Sequence, residues 1–198
     1  MSELTPSSVL SMAAFAFVGS LSPGPNTVIA ASIGAHRGWR AAWPHAWGVT
    51  VGFGLMLALS GMGVAGLLQA LPGVALAMRL AAAAYLFWLA LLIARSHASS
   101  IQLDQSSMSF KQSAAFQFLN PKAWVLAAAT VSVDASGNAP LPLVSVVTIF
   151  SVAAVTSILF WAVLGARICA WATTPQRLRR LNLGVAVLLA LTAAWMLV

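Results

Sequence analysis

Six long apolar stretches, separated by short polar connections, make up nearly the whole chain. They run from about Thr5 to Ala31, Trp43 to Leu68, Gly73 to Ala94, Ala114 to Val133, Leu141 to Ala166 and Leu181 to Val198. The hydrocarbon core of a bilayer is about 30 Å thick, so a crossing helix needs roughly 20 mainly apolar residues. Each stretch meets that length, the sixth only just. The pattern predicts an all-α, multi-pass membrane protein with six transmembrane helices in a single domain over residues 1–198. The opening "MSELTPSSVLSMAAFAFVG" carries Glu3 and lacks the positive start of a secretory signal, so it is read as a membrane helix.

Composition agrees with this. Of the 198 residues, 61% are hydrophobic and 7% charged, with a mean hydropathy of +0.92. A soluble domain carries about 25% charged residues; here there are too few to cover a water-facing surface. The net charge of +7 does not point to nucleic acid, because the bases form short clusters rather than a stripe interleaved with aromatics. His36, Arg37 and Arg40 fall in the first connection; Arg95, His97 and Lys111, with Asp104, in the third; Arg167, Arg177, Arg179 and Arg180 in the fifth. The second, "QALPG", is uncharged, and the fourth, "DASGNAP", holds only Asp134. Bases on alternate connections are the positive-inside pattern. Connections one, three and five are therefore expected in the cytoplasm and both termini outside. Arg79 fits least well and would have to snorkel at the outer end of the third helix. The single cysteine, Cys169, excludes an intramolecular disulfide and a cysteine-rich metal site.

In "WRAAWPHAWG", Trp39, Trp43 and Trp47 recur every fourth residue. They are read as one interfacial stripe entering the membrane from the cytoplasmic side. Gly48 and Gly52 follow as a GxxxG pair, which permits close helix approach.

Two stretches break the apolar pattern in the same way. "SLSPGPNTVIAAS", residues 20–32, places Pro23, Gly24 and Pro25 inside the first helix, at a cost of roughly 3 kcal/mol per interior proline. In "FQFLNPKAWVL", residues 116–126, Pro121 does the same in the fourth. Placing Pro23 over Pro121 aligns "LSPGPN" with "LNPKAW": leucine, a small polar residue, proline. Each motif lies in the first helix of a three-helix half. An odd number of helices per half inserts the two halves in opposite orientations, and matched broken helices in inverted halves mark a transporter's binding site. Lys122 and Gly24 each lie eight residues, about 12 Å, from the same membrane face, so both breaks are expected near mid-membrane. Lys122 is then the deepest ionisable residue. A lysine there costs about 2.5–3.5 kcal/mol and faces the bundle interior and a partner; the alternative is a lysine snorkelling to the headgroups.

The prolines free the carbonyls of Gly19, Leu21 and Gln117, and the restarted half-helices expose N–H groups near Asn26–Thr27 and Lys122–Ala123. Donors with a lysine suit a carboxylate. Free carbonyls with the amides of Asn26 and Asn120 suit an ammonium. A small zwitterion needs both sets, so an amino acid fits.

At these residues the chain resembles the LysE/RhtB superfamily of amino-acid exporters. "SPGPNTVIAASIGAHRGWRAAWPHAWGVTVG" is similar to its first-helix signature and "FQFLNPKAWVL" to its fourth. "AAYLFWLALLIARS" and the arginine-rich fifth connection resemble members exporting cysteine and related neutral amino acids. The resemblance implies proton-driven efflux of amino acids or their derivatives across the bacterial inner membrane, with motif positions Ser22, Pro23, Gly24, Pro25, Asn26, Asn120, Pro121 and Lys122. Two features depart from it. Many relatives have Asp where this chain has Asn26, and "AAATVSVDASGN" lacks the Pro-Gln-Phe that often follows the fourth-helix motif.

None of the acids Glu3, Asp104 and Asp134 is expected deep in the membrane. His45 is the one histidine placed to relay protons, although a histidine beside tryptophans also reads as interfacial; Lys122 or the substrate itself are the other carriers. An intramembrane enzyme is disfavoured, because Ser22 has no evident base, no two acids fall in the membrane and HExxH is absent. A channel or scaffold subunit is the other rival. Metal transport lacks clustered ligands, and a quaternary amine would want an aromatic cage and meet Lys122. The expected partners are an amino-acid substrate, protons and the lipid bilayer, with no cofactor and no metal. Small-residue helix faces make a homodimer a candidate assembly.

Overall fold

The computed structural model describes residues 6–63, 71–95, 108–136, 141–171, 174–195 and 197. Regular structure among them is helical. The helices are α1 (Pro6–Leu21), α2 (Pro25–Arg37), α3 (Trp43–Gly61), α4 (Pro72–Arg95), α5 (Phe110–Leu119), α6 (Pro121–Ser136), α7 (Leu143–Trp171) and α8 (Pro175–Trp195), with a 3-10 turn at Trp39–Ala42. Prolines do much of this punctuation. α1, α2, α4, α6 and α8 each begin on one, where the missing N–H costs nothing and the fixed φ suits a first turn.

The first apolar stretch is two helices, α1 and α2, bent by 61° at the break. α2 runs on to Arg37, past the expected end at Ala31, and closes on Gly38 at φ 79°, whose N–H donates to Gly34 O at 3.0 Å. That turn also removes Trp39 from the expected tryptophan stripe. Trp39 belongs to the 3-10 turn, with the Arg40 guanidinium over its ring at 4.7 Å, while Trp43 and Trp47 stack on α3. The fourth stretch begins at Phe110, four residues before the expected Ala114. A capping box forms there: Gln112 N donates to Ser109 Oγ, and Ser109 N to Gln112 Oε1 at 2.9 Å. Lys122 thus stands twelve residues into its broken helix, not eight. Arg167 lies within α7, and Arg177, Arg179 and Arg180 lie in the first turns of α8, which starts beneath Thr174, whose Oγ1 accepts from Arg177 N. Apolarity alone places these ends inside the helices because the capping turns are polar. Glu3, residues 64–68 of the second stretch, and His97 and Asp104 of the third connection lie outside the described residues, as do the side chains of Arg79 and Asp134.

α7, with 29 residues and a mean hydropathy of 2.4, is long and apolar enough to cross a membrane; α1 and α2 meet that test as a bent pair. Both α1 and α2 pack along α7, both α5 and α6 pack along α3, and α4 lies on α8. Each broken helix therefore rests on the helix that follows the other break. Glycines set the spacing. A Cβ on Gly34 would strike the Ala162 carbonyl, and one on Gly165 the Ala31 carbonyl, so α2 and α7 cross backbone to backbone. Gly48 and Gly52 do the same for α3 against Phe110 and Ala114 of α5, as the GxxxG pair anticipates. One buried cluster, with Ile29, Ile33, Leu86, Ile93 and Leu189, joins α2, α4 and α8. A second, with Met12, Phe53, Met56, Leu57 and Phe150, joins α1, α3 and α7. The two breaks meet between them.

Candidate functional site

At the first break the chain leaves α1 at Leu21 and re-enters helix at Pro25, and its carbonyls need donors from elsewhere. Four side chains supply them. Ser22 Oγ donates to Gly19 O at 2.9 Å, Ser157 Oγ to Ser20 O at 2.7 Å, and Trp161 Nε1 to Leu21 O at 3.1 Å. Lys122 Nζ donates to Ser22 O at 2.7 Å and lies 3.4 Å from Pro23 O. Ser157 and Trp161 are one turn apart on α7 and reach the same strip of backbone. On the far side, Gly24 N donates to Thr27 Oγ1 at 2.8 Å, and the Thr27 hydroxyl donates back to Gly24 O at 2.9 Å.

The second break is capped by Asn120. Its Oδ1 accepts from Lys122 N at 3.1 Å, and its carbonyl accepts from Ala123 N and Trp124 N. Asn120 N returns to Gln117 O at 3.1 Å, and Trp124 Nε1 donates to Phe118 O at 2.9 Å. These bonds correct one expectation. The carbonyls freed by the prolines, and the N–H groups of Lys122 and Ala123, do not wait for a ligand: neighbouring side chains and the Asn120 cap engage them. The polar groups left over are fewer and better defined.

The breaks face one another across a cavity of about 60 Å³, room for several waters or a small solute. Gly24, Pro25, Asn26, Asn120 and Lys122 line it, so five of the residues singled out from sequence converge there. Ser22, Pro23 and Pro121 are not among the lining residues: Pro121 starts α6, and Ser22 and Pro23 meet the site through their carbonyls at Lys122 Nζ. Val49, Phe53, Leu126, Ala154 and Ile158 form an apolar wall. Gly24 makes room for the lysine, since a Cβ there would lie 3.0 Å from Lys122 Cδ and 3.1 Å from Nζ.

The side chain of Gln117 was not singled out from sequence. It is buried, accepts from Asn26 Nδ2 at 2.6 Å through Oε1, and donates from Nε2 to Val49 O at 3.4 Å. Asn26 Oδ1 is buried with no hydrogen-bond partner among the described residues. The visible hint was Gln117's place one turn before Pro121, in an otherwise apolar run.

His45 is fully buried within the protein. Trp43 and Trp47, two residues to either side, are exposed because successive pairs fall on opposite helix faces. His45 Nε2 lies 3.2 Å from Asn26 O, and Nδ1 lies 2.8 Å from Ser113 Oγ, which is itself 2.9 Å from Ser109 O. A carbonyl only accepts, so Nε2 carries a hydrogen. The imidazole thus ties the start of α2 to α3 and α5.

Sequence comparison shows the family to which the chain is related. The description of the LysE type translocator family matches residues 17–198. An uncharacterised membrane protein of Pseudomonas aeruginosa is 28% identical over 171 residues, covering 80% of this chain and 79% of the relative. A cysteine/O-acetylserine efflux protein of Escherichia coli K12 and one of Shigella sonnei are each 31% identical over 120 residues, covering 60% of this chain and 61% of theirs. This chain therefore spans about three-fifths of the efflux proteins it matches. No solved structure matches. With the family match running over both breaks and every helix from α2 onward, the chain belongs to the LysE type translocator family, and it is a membrane transporter rather than an enzyme.

Proposed function

We propose that the protein exports small neutral amino acids, or derivatives of them, across the bacterial inner membrane by alternating access around the cavity between the two breaks. The observation that carries this is the Lys122 ammonium in the cavity between the two breaks, held at 2.7 Å from Ser22 O. A substrate carboxylate is the natural competitor for it, because an ionised partner makes a stronger bond than a carbonyl. Asn26 and Thr27 present N–H groups from the first turn of α2, where a helix has no internal acceptor for them. Val49, Phe53 and Ile158 would take a short, uncharged side chain.

The span arrangement in this proposal is six helices in two inverted halves with both termini outside. Support comes from the alternating basic connections and from the reciprocal packing of each broken helix on the other half. Export would run as proton antiport, with His45 as the relay. With Nε2 on Asn26 O, neutral His45 accepts the Ser113 hydroxyl at Nδ1; protonated, it donates to Ser113 Oγ, whose hydroxyl turns to Ser109 O. Both states leave the imidazole fully bonded.

Counterflow in proteoliposomes tests the proposal. Vesicles loaded with one unlabelled amino acid are given its labelled form, with wild type and Lys122→Gln side by side. Exchange of a subset of neutral amino acids, lost or weakened about tenfold or more in the variant, is expected from removing a charge-assisted bond. Flux without counterflow would favour a channel, and unchanged exchange in Lys122→Gln would reduce the lysine to a brace on Ser22 O.

A further inference from the structure

The amide of Asn26 has a fixed polarity, and the structure shows what fixes it. The reference point is the Val49 carbonyl on α3, which can only accept. Gln117 Nε2 donates to it at 3.4 Å, so the Gln117 side chain is turned with Oε1 toward Asn26. That oxygen needs a donor, and Asn26 supplies Nδ2 at 2.6 Å. The remaining atom of the Asn26 amide is therefore Oδ1, an acceptor, and it is the atom left buried without a partner among the described residues. The Asn26 backbone is held independently by His45 Nε2 on its carbonyl. Asn26 lines the cavity opposite Lys122, and so does Gln117. A buried acceptor with no donor is uncommon in native proteins and calls for an explanation, of which a bound ligand is one.

We infer that Asn26 Oδ1 is the receptor for the substrate's ammonium and that Gln117 is the positioning residue that keeps this oxygen turned to the cavity. The inference rests on the amino-acid reading above and adds the atom that reads the amino group. It divides the labour of the site: Lys122 takes the carboxylate, and the amide chain Val49 O–Gln117–Asn26 rejects acids that lack the amine. A carboxylate at position 26 would set an oxygen against Gln117 Oε1, with no hydrogen between them.

The experiment compares each amino acid with the acid lacking its amino group: alanine with propionate, serine with 3-hydroxypropionate, cysteine with 3-mercaptopropionate. Each acid competes against labelled amino-acid exchange in proteoliposomes. Wild type should favour the amino acid over its matched acid by about tenfold or more, the range of a hydrogen bond to a charged group. Gln117→Met, close in length and without polar atoms, frees the Asn26 amide to rotate. It should raise KM for the amino acid about tenfold while leaving inhibition by the matched acid within about twofold. Asn26→Leu should do the same. The double variant, which leaves neither amide half-satisfied, should lose no more than either single change, since both act through one atom. It also serves if Gln117→Met alone fails to fold, as judged by monodisperse elution in detergent.

Equal loss of affinity for amino acid and matched acid would make Gln117 merely structural and overturn the inference. So would discrimination that survives in the double variant, which would assign a bound water to Asn26 Oδ1. Absence of wild-type exchange with alanine, serine and cysteine alike would instead overturn the export proposal, and this inference with it.

Discussion

Gly34 sits where α2 crosses α7, and replacing it with alanine separates two effects of known sign. Alanine is the better helix former by about 1 kcal/mol. Against that, a Cβ at Gly34 would meet the Ala162 backbone, lying 2.6 Å from its carbonyl carbon and 2.7 Å from Cα. No rotamer relieves a contact between two main chains, so α2 and α7 must part by roughly 1 Å, and overpacking of this kind costs about 1–3 kcal/mol. Gly184 on α8 provides the control, because a Cβ there meets nothing within 4 Å. The propensity gain is common to both variants, so their difference isolates the overpacking. For a chain of this length 1 kcal/mol corresponds to about 2–4 °C. Gly34→Ala should therefore unfold about 2–12 °C below Gly184→Ala in tryptophan-fluorescence melts of the detergent-solubilised protein. Gly165→Ala, whose Cβ would meet Ala31, should match Gly34→Ala. The pair together should lose less than the sum, because one widening of the crossing serves both. A Gly34→Ala protein that melts with or above Gly184→Ala would refute the close crossing, and with it the packing that positions the first break.

Two further outcomes follow from the site. Trp161→Phe and Ser157→Ala each strip a donor from a carbonyl of the first break and should cost about 1–3 kcal/mol apiece, read as lower melting temperatures, with Trp161→Tyr failing to restore the bond made by the indole N–H. His45→Asn, which keeps one donor and one acceptor but cannot take up a proton near neutral pH, should retain counterflow while losing accumulation driven by an imposed proton gradient; gradient-driven accumulation at the wild-type level would remove His45 as the relay.

The two prolines-in-helix motifs were legible in sequence because breakers stand out against an apolar run, and their alignment brought Gly24, Asn26, Asn120 and Lys122 to one place. The satisfying groups were not legible. Ser157 and Trp161 look like ordinary members of a long apolar helix; only the crossing geometry sets by Gly34 and Gly165 turns them toward Ser20 and Leu21. Gln117 was noticed for the carbonyl that Pro121 frees, whereas its side chain matters more. The burial of His45 was not legible from its flanking tryptophans, which share its sequence window but not its helix face. Helix ends were shifted wherever a polar capping turn, such as Ser109–Gln112 or Thr174–Arg177, lies outside the apolar stretch that hydropathy detects.

The completeness of the capping has a consequence for how such a site would work. A break of this kind leaves several backbone groups that, unpaired in an apolar interior, would cost several kcal/mol each. Nearly all are bonded without a ligand: Gly19, Ser20, Leu21 and Ser22 through side chains, and the α6 start through Asn120. An arriving amino acid thus gains little from rescuing starved carbonyls. In the proposed reading its carboxylate must draw Lys122 from Ser22 O, an exchange of one bond for a stronger one, and the remaining gains are the first-turn N–H groups of α2 and the ammonium on Asn26 Oδ1. Net affinity should be modest for that reason, which suits a carrier that has to release what it binds. The exchange also links occupancy to structure. Lys122 on α6 bridges to the end of α1 when the cavity is empty, and a substrate that takes the lysine removes that bridge between the two broken helices. Loading would then loosen the contact whose two sides must move apart in alternating access, so binding and the step that follows it share a single hydrogen bond.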